Sequence, residues 1–316
     1  MRRILLAAGL IACSIFSAQA QAQNWPQRPV TMILPLGPGS GVDISARLLA
    51  EKLSAKWGKP VVVENRPGGD AIVAINAFVA AQDDHTFLMA PTSTFTAHPI
   101  VHAKLPYEPE DLVPIARVSN TIVAVGVPAS LNVNSMADLV KMAREKPGQL
   151  NSAGTAGAVD LVLAGFLKTE KAEVTKVPYK DGVQALNDLS EGRIQIYAAA
   201  YAIMRPQVEA GKVKVLALTN NERAPSLPNV PTAAEAGYPS LSIDGLVGLF
   251  GPRKISPELR DRIANDVVEA VRDPAVTQRL TLTGQIVRPG TAKEFAAEIA
   301  EQRKRVNESV QAAKGK

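Results

Sequence analysis

Residues 33–57 read ILPLGPGSGVDISARLLAEKLSAKW. An apolar run ends in glycines and is followed by apolar positions at three- and four-residue spacing, so the stretch reads as strand, turn and amphipathic helix. This is the opening unit of an α/β fold. A chain that turns through Gly37, Gly39 and Gly41 into a helix aims several backbone N–H groups at one point. The positive end of the helix dipole points the same way, and a negatively charged group fits there.

Downstream the unit repeats. Gly58 ends the first helix, residues 61–63 read as a buried strand, and residues 65–69 (Asn-Arg-Pro-Gly-Gly) as a turn. Residues 71–81 read as a helix, and residues 86–90 and, after a long loop, 122–127 as strands. Ser135 starts a helix that Pro147-Gly148 ends. Strands at 150–153, 174–177, 194–198 and 213–219 alternate with helices at 159–169, 183–189 and 204–210. Alternation of this kind predicts parallel sheets covered by helices on both faces. Further on, Ser256-Pro257 starts a helix with Leu259, Ile263, Val267 and Val271 at four-residue spacing, and Pro274 interrupts it. A capping box at Thr291 and Glu294 opens a last helix carrying Phe295, Ile299, Val306 and Val310. These helices, with no strand between them, read as a return onto an earlier domain. The economical arrangement is two α/β lobes joined by two crossovers, with a ligand cleft between them.

Upstream of the turn, Arg2 and Arg3 precede an apolar run over residues 4–16, and Ala18-Gln19-Ala20 offers small residues for a signal peptidase. Residues 1–20 therefore read as an export signal cut near 20–22. The run is short of the about 20 apolar residues that span a bilayer. Cys13, the only cysteine, sits in a lipoprotein-like box, but the apolar run continues past it to the Ala-x-Ala site, which favours simple cleavage. Loss of Cys13 with the signal would leave a chain without disulfides. The net charge of +5 falls by two with Arg2 and Arg3, and the basic run Arg303-Lys304-Arg305 is interleaved with Glu298, Glu301 and Glu308, so no nucleic-acid surface is expected.

Several chemistries are excluded or weakened. The turn is Gly-x-Gly-x-Gly and not Gly-x-Gly-x-x-Gly, and Pro38 removes an amide donor, so a dinucleotide role fails even though Glu64 stands where a ribose-binding acid would. No Gly-Lys-Ser/Thr follows for a nucleotide. Three histidines and no Gly-x-Ser-x-Gly elbow give no acyl-transfer constellation. His98 and His102 are four apart, a zinc spacing, but Pro99 lies between them and no third ligand is evident, so they read as a loop pair.

The order and spacing of short motifs resemble the Bug family, the extracytoplasmic solute-binding receptors of tripartite tricarboxylate transporters. The motifs, as they stand here, are Trp25-Pro26-x-Arg28-Pro29-Val30, Pro35-x-Gly37-Pro38-Gly39-x-Gly41-x-Asp43, Ala46-Arg47-Leu48-Leu49-Ala50 and Val63-Glu64-Asn65-Arg66-Pro67-Gly68. Leu105-Pro106-Tyr107, Lys146-Pro147-Gly148, Val177-Pro178-Tyr179-Lys180 and Val230-Pro231-Thr232-x-x-Glu235-Ala236-Gly237 follow. The resemblance covers nearly the whole chain after the signal. It implies a two-lobed Venus-flytrap fold of the type II-like periplasmic binding proteins, with residues 24–120 plus 226–316 as one lobe and 121–225 as the other. It also implies a small carboxylate ligand, held by backbone amides and waters from one βα turn per lobe and delivered in the periplasm to the permease subunits of such a transporter. Those turns match Pro38, Gly39, Ser40, Gly41 and Asp43 in one lobe, and Ala153, Gly154, Thr155, Ala156 and Asp160 in the other. Ser40 stands in place of a third consecutive glycine and adds a hydroxyl. Asp160, Asp181 and Leu246 stand where His, Gly and Trp are usual, which reshapes the expected pocket.

Further candidates come from position. Asp43 at a helix start either caps free N–H groups or meets the ligand. Thr92, Ser93 and Thr94 follow a strand end, where α/β clefts collect ligands, and their hydroxyls read as donors or as loop caps. Tyr179 and Tyr201 either line the second lobe's wall or pack in its core. No catalytic residue, cofactor or metal ligand is expected. The alternatives are a receptor that presents its ligand to a sensor kinase and, from a different class, a two-lobed α/β enzyme of deaminase or transferase type.

Overall fold

The apolar run of the opening unit forms β1 (Val30–Leu34), which pairs in parallel with β2 (Val61–Asn65) and β3 (Thr86–Pro91). The computed structural model describes residues 25–155 and 157–315, so the signal read at residues 1–20, Cys13 and the candidate Ala156 lie outside the described residues. Three further strands, β4 (Val113–Thr121), β10 (Gly245–Gly251) and β11 (Gln285–Gly290), complete a six-stranded sheet of order β11-β4-β10-β3-β1-β2. In a second sheet β5 (Val123–Pro128) lies between β8 (Tyr197–Ala200) and β9 (Val213–Leu218), and β6 (Leu150–Gly154) pairs with β7 (Val174–Pro178). A bridge between Ser152 and Ile196 joins these two pieces edge to edge.

Alternation along β1 explains why each face of its sheet is covered. Val30, Met32 and Leu34 pack with Leu49 and Leu53 of α1 (Gly41–Trp57) and with Ile263 and Val267 of α8 (Pro257–Arg272). Ile33 packs on the other side with Ile75 and Phe78 of α2 (Ile72–Ala81) and with Phe295 of α10 (Ala292–Ala313). The second sheet is covered in the same way. Val125 and Val127 meet Leu139 of α4 (Met136–Glu145) and Phe166 of α5 (Ala158–Thr169), while Ala124 meets Leu186 of α6 (Gly182–Ser190) and Met204 of α7 (Tyr201–Glu209). The caps read from sequence form: Ser135, Ser256 and Thr291 each accept from the N–H three residues on.

Three expectations are corrected. The sheets are mixed and not parallel, because β10 runs antiparallel to β3 and β4, and β5 runs antiparallel to β8 and β9. The last third of the chain holds strands: β11 lies between α9 (Pro274–Leu282) and α10. Both strands missed in this third have weak strand composition. β10 carries Gly245, Gly248 and Gly251 but is buried throughout by its two neighbours, and β11 carries Pro289, which an edge strand tolerates. Finally, the long loop expected before residue 122 holds β4 and a helix, α3 (Thr92–Val101), so the candidate loop of Thr92, Ser93 and Thr94 is a helix start and His98 is helical despite Pro99.

The two sheets meet at a hydrogen-bonded knot. The buried Asn220 side chain accepts from the Val123 N–H at 2.8 Å and donates to the Thr121 carbonyl at 3.0 Å, spanning the crossover residue Ile122. Its neighbour Thr219 donates its hydroxyl to the Ile243 carbonyl, and its carbonyl accepts from the Ile243 N–H at 2.7 Å. One dipeptide therefore ties the outgoing and the returning crossover together. A second tie is α10, which packs on β4 and then crosses α5 at Gly165, where an added Cβ would stand 2.4 Å from the Ser309 carbonyl oxygen. Gly165→Leu is expected to force this crossing apart and to destabilise the protein by about 3 kcal/mol or more, read as the midpoint of urea unfolding.

Candidate functional site

The glycine turn is organised by a buried acid. Asp43, in the first turn of α1, is 2% exposed, and its carboxylate accepts from the Gly39 N–H at 2.9 Å, from Arg47 Nε at 3.1 Å and from Asn65 Nδ2 at 2.9 Å. The i,i+4 spacing brings Arg47 over it, and β2 delivers Asn65, whose amide also donates to the Leu36 carbonyl. Burial alone would raise the Asp43 pKa. The hydrogen bonds from Arg47, Gly39 and Asn65 outweigh it and hold the carboxyl below its usual range. Ser40 is the N-cap, its hydroxyl accepting from the Asp43 N–H. Gly39 sits at φ +83, a left-handed value that glycine adopts freely.

These bonds reallocate the donors of the turn. Pro38 has no N–H, the Gly39 N–H belongs to Asp43, and the Asp43 N–H belongs to Ser40. The N–H groups of Gly41 and Val42, first in the helix, have no intrahelical acceptor, and the Ser40 hydroxyl keeps its proton to donate. Gly41 also faces Gln285 of β11, whose amide nitrogen would stand 2.8 Å from an added Cβ. Gln285 is buried and accepts from Ser119 at 3.0 Å.

The second turn lies at the end of β6. Ala153 and Gly154 are buried, with Ala153 donating to the Ile196 carbonyl and Gly154 accepting from the Tyr179 N–H, so the two residues form the wall of the turn. Thr155 is hydrogen-bonded to the Tyr197 side chain; burial, which Thr155 opposes, pushes that phenol up to about 12. The Tyr197 hydroxyl also lies against the start of α6, 2.8 Å from where a Gly182 Cβ would be. Asp160, in the first turn of α5, pairs with Lys176, whose side chain crosses over the Gly154 backbone. Burial raises the Asp160 pKa and the Lys176 ammonium opposes it.

Helix starts gather around these turns at the C-terminal ends of strands, where α/β clefts take their ligands. Among the described residues α3 after β3, α5 after β6 and α7 after β8 begin with no side-chain cap, as does α2, whereas α1, α4, α6, α8, α9 and α10 are capped. The α3 and α5 starts approach each other across the lobes, the Ser93 carbonyl standing 4.0 Å from an added Gly157 Cβ. Gly39, Gly41 and Ile44 face Tyr201, Ala202 and Arg205 across a cavity of about 610 Å³.

Other candidates have partners of their own. The Thr92 hydroxyl is fully buried and donates to Gln302 at 2.7 Å. Asp181 caps α6 by accepting from the Val183 N–H, and the Tyr179 hydroxyl donates to Asp188 at 2.7 Å. Tyr201 is buried at the start of α7, where its N–H donates to the Ile122 carbonyl. Thr94 lies in α3. Leu246 packs beside Phe250 and Phe295. Sequence reasoning missed Tyr197, Gln285 and Lys176. Only the Asp43 to Arg47 spacing carried a local signal; the others reach the turns through strand pairing.

The family model described as tripartite tricarboxylate transporter family receptor matches residues 45–314. A relative from Pseudomonas sp. (strain P51), described as a UPF0065 protein in the tcbD-tcbE intergenic region, is 32% identical over 304 residues, covering 94% of this chain and 90% of its own. Among solved structures, an R. palustris protein with adipate is similar at TM-score 0.77 and 28% identity, covering 92% of this chain and 98% of that one. MatC from Rhodopseudomonas palustris with bound malate reaches TM-score 0.72 at 27% identity, covering 89% and 100%.

Asp43→Asn is expected to lower stability by about 1–3 kcal/mol at pH 7, since the Gly39 and Arg47 bonds lose a full negative charge. Because the folded carboxyl titrates below its unfolded value, its contribution is complete above the unfolded pKa and disappears as the pH falls through the folded one. Urea unfolding at a series of pH values should therefore show the gap between the two proteins closing below about pH 4.

Proposed function

The chain belongs to the tripartite tricarboxylate transporter receptor family, and from that premise we propose that it captures a small dicarboxylate or tricarboxylate between its two lobes. The observation that carries this reading is the set of helix starts without side-chain caps at the strand ends of both lobes, α3 from the first facing α5 from the second. The N–H groups of Gly41 and Val42, the Ser40 hydroxyl and the start of α3 serve one side of the anion. The α5 start, Thr155 and Tyr197 serve the other. An anion at such a place gains hydrogen bonds from amides already oriented and from the helix dipoles, without a dedicated cation.

The acids beside the turns do not oppose this. Asp43 is neutralised by Arg47 and Asp160 by Lys176, so the amide ends dominate the local field. The related proteins with adipate and with malate support a carboxylate as the ligand class. We further propose that the chain is exported by residues 1–20, works in the periplasm and hands its ligand, chemically unchanged, to the permease subunits of a tripartite tricarboxylate transporter. The lobe division we propose puts the outgoing crossover at Ile122 and the return at Asp244. Ala233, Leu241 and Ile243, expected in the first lobe, pack with Val125 and Val162 of the second sheet's layer.

Thermal unfolding against mono-, di- and tricarboxylates and neutral sugars tests the reading. A dicarboxylate or tricarboxylate at 100 times its dissociation constant should add about 2.7 kcal/mol and raise the melting temperature by several degrees. Thr155→Ala and Tyr197→Phe should each cost about 0.5–1.5 kcal/mol of binding by calorimetry. Stabilisation by sugars and by no acid would refute the carboxylate assignment.

A further inference from the structure

The two histidines read as a loop pair are brought together with a third group. Asp70, in the turn at Gly69–Ala71 that precedes α2, directs its carboxylate at the far end of α3, where His98 lies in the last turn and His102 is the C-cap. Asp70 Oδ2 stands 3.3 Å from His98 Nε2 and 3.2 Å from His102 Nε2, with which it is hydrogen-bonded in the ion-free protein. The ligand atoms of the three residues all lie within 4.8 Å of one another. The imidazole rings stand at 88° with centroids 5.1 Å apart, so they meet edge to face and are not stacked.

We propose that Asp70, His98 and His102 form a Zn²⁺ site. Zinc binds imidazole nitrogen at about 2.0–2.1 Å and carboxylate oxygen at about 2.0–2.2 Å, and tetrahedral ligands at those lengths stand about 3.3–3.5 Å apart. The two distances from Asp70 have that size.

A second observation points to a ligand independently. His98 is fully buried, and among the described residues its Nε2 has no hydrogen-bond partner, the 3.3 Å approach to Asp70 being of ion-pair length without the geometry of a hydrogen bond. Its other ring nitrogen is engaged, with Nδ1 2.6 Å from the buried Tyr107 hydroxyl. With Nδ1–H donating to that oxygen, the Nε2 lone pair is turned into a space whose other wall is a carboxylate. A cation satisfies both, and a hydrogen-bonded outer nitrogen is the usual support of a metal-bound histidine. His102 is 32% and Asp70 26% exposed on their side chains, which leaves an open side for entry and for a water as fourth ligand. The C-terminal end of α3, where both histidines lie, carries the negative end of the helix dipole and favours a cation. The ion would clip α3 to the turn before α2. From Ser93 to His102 the helix rises about 13 Å, so this site is separate from the anion cleft at the other end of α3.

The test uses the purified protein, free of any histidine tag and stripped with a chelator. Calorimetry with ZnCl₂ should give one ion per chain and a melting temperature raised by about 5 °C or more at saturation, reversed by the chelator. Co²⁺ should give the visible absorption of a tetrahedral site. His98 is buried and its replacement risks the fold, so His102→Ala and Asp70→Asn carry the test. Each should keep the circular dichroism of the parent, lose at least about 100-fold in zinc affinity and lose the zinc-dependent stabilisation. The proposal is overturned if the parent binds no zinc, if both variants bind it as the parent does, or if they lower the melting temperature equally with and without zinc. That last result would mark the cluster as a hydrogen-bond network alone.

Discussion

The two halves of this molecule depend on a dipeptide. Asn220 makes with one side chain the two bonds that β-pairing cannot make around Ile122, and Thr219 holds the returning strand at Ile243. Crossover segments interrupt a sheet, and their N–H and C=O groups are buried here, where an unpaired one costs about 1–3 kcal/mol. The amide side chain of asparagine supplies an acceptor and a donor on one rigid group, which suits a gap flanked by a free N–H and a free carbonyl. Because these crossovers fix how the two sheets face each other, the separation of the glycine turn from the second turn is set by this knot and by the α5–α10 crossing.

The electrostatics of the cleft follow from how acids are placed around it. An ionised carboxylate near an anion site would weaken it, yet Asp43 and Asp160 lie in the first turns of two of the helices to which we assign the anion. Each is paired with a basic side chain. Asp43 also shapes the turn, since its bond to the Gly39 N–H closes the loop that leads into the Gly41 and Val42 amides. A residue that reads as either cap or contact is thus an organiser of the donors beside it. The same economy applies to α3, whose two ends have opposite partial charge: its start lies at the cleft and its end gathers two imidazoles against Asp70.

Much of the architecture was legible because its signals are local. Ser135 to Asp138 and Thr291 to Glu294 are caps three residues long, and the four-residue spacing of Leu259, Ile263, Val267 and Val271 marks one helix face; the sequence reading passes over the Ser40 cap, of the same length, for Asp43. The two strand-to-helix turns that we propose face the anion, each an apolar strand running into Gly, Ser or Thr before a helix, stand out in the sequence for the same reason. By itself the sequence determined the α/β class, the two-lobed plan through its ordered motifs, and the starts of the helices that follow Ser135, Ser256 and Thr291.

The tertiary structure decided the rest. β10 is a strand because β3 and β4 satisfy it on both sides, although its three glycines disfavour that state. The carboxylate that organises the first turn is held by Asn65, 22 residues from Asp43, and the histidine pair acquired its carboxylate from Asp70, 32 residues from His102. The physical reason is range. Periodicity and capping act between residues a turn apart and are written in their order, whereas the convergence of distant side chains depends on the path of the chain between them, which only packing fixes.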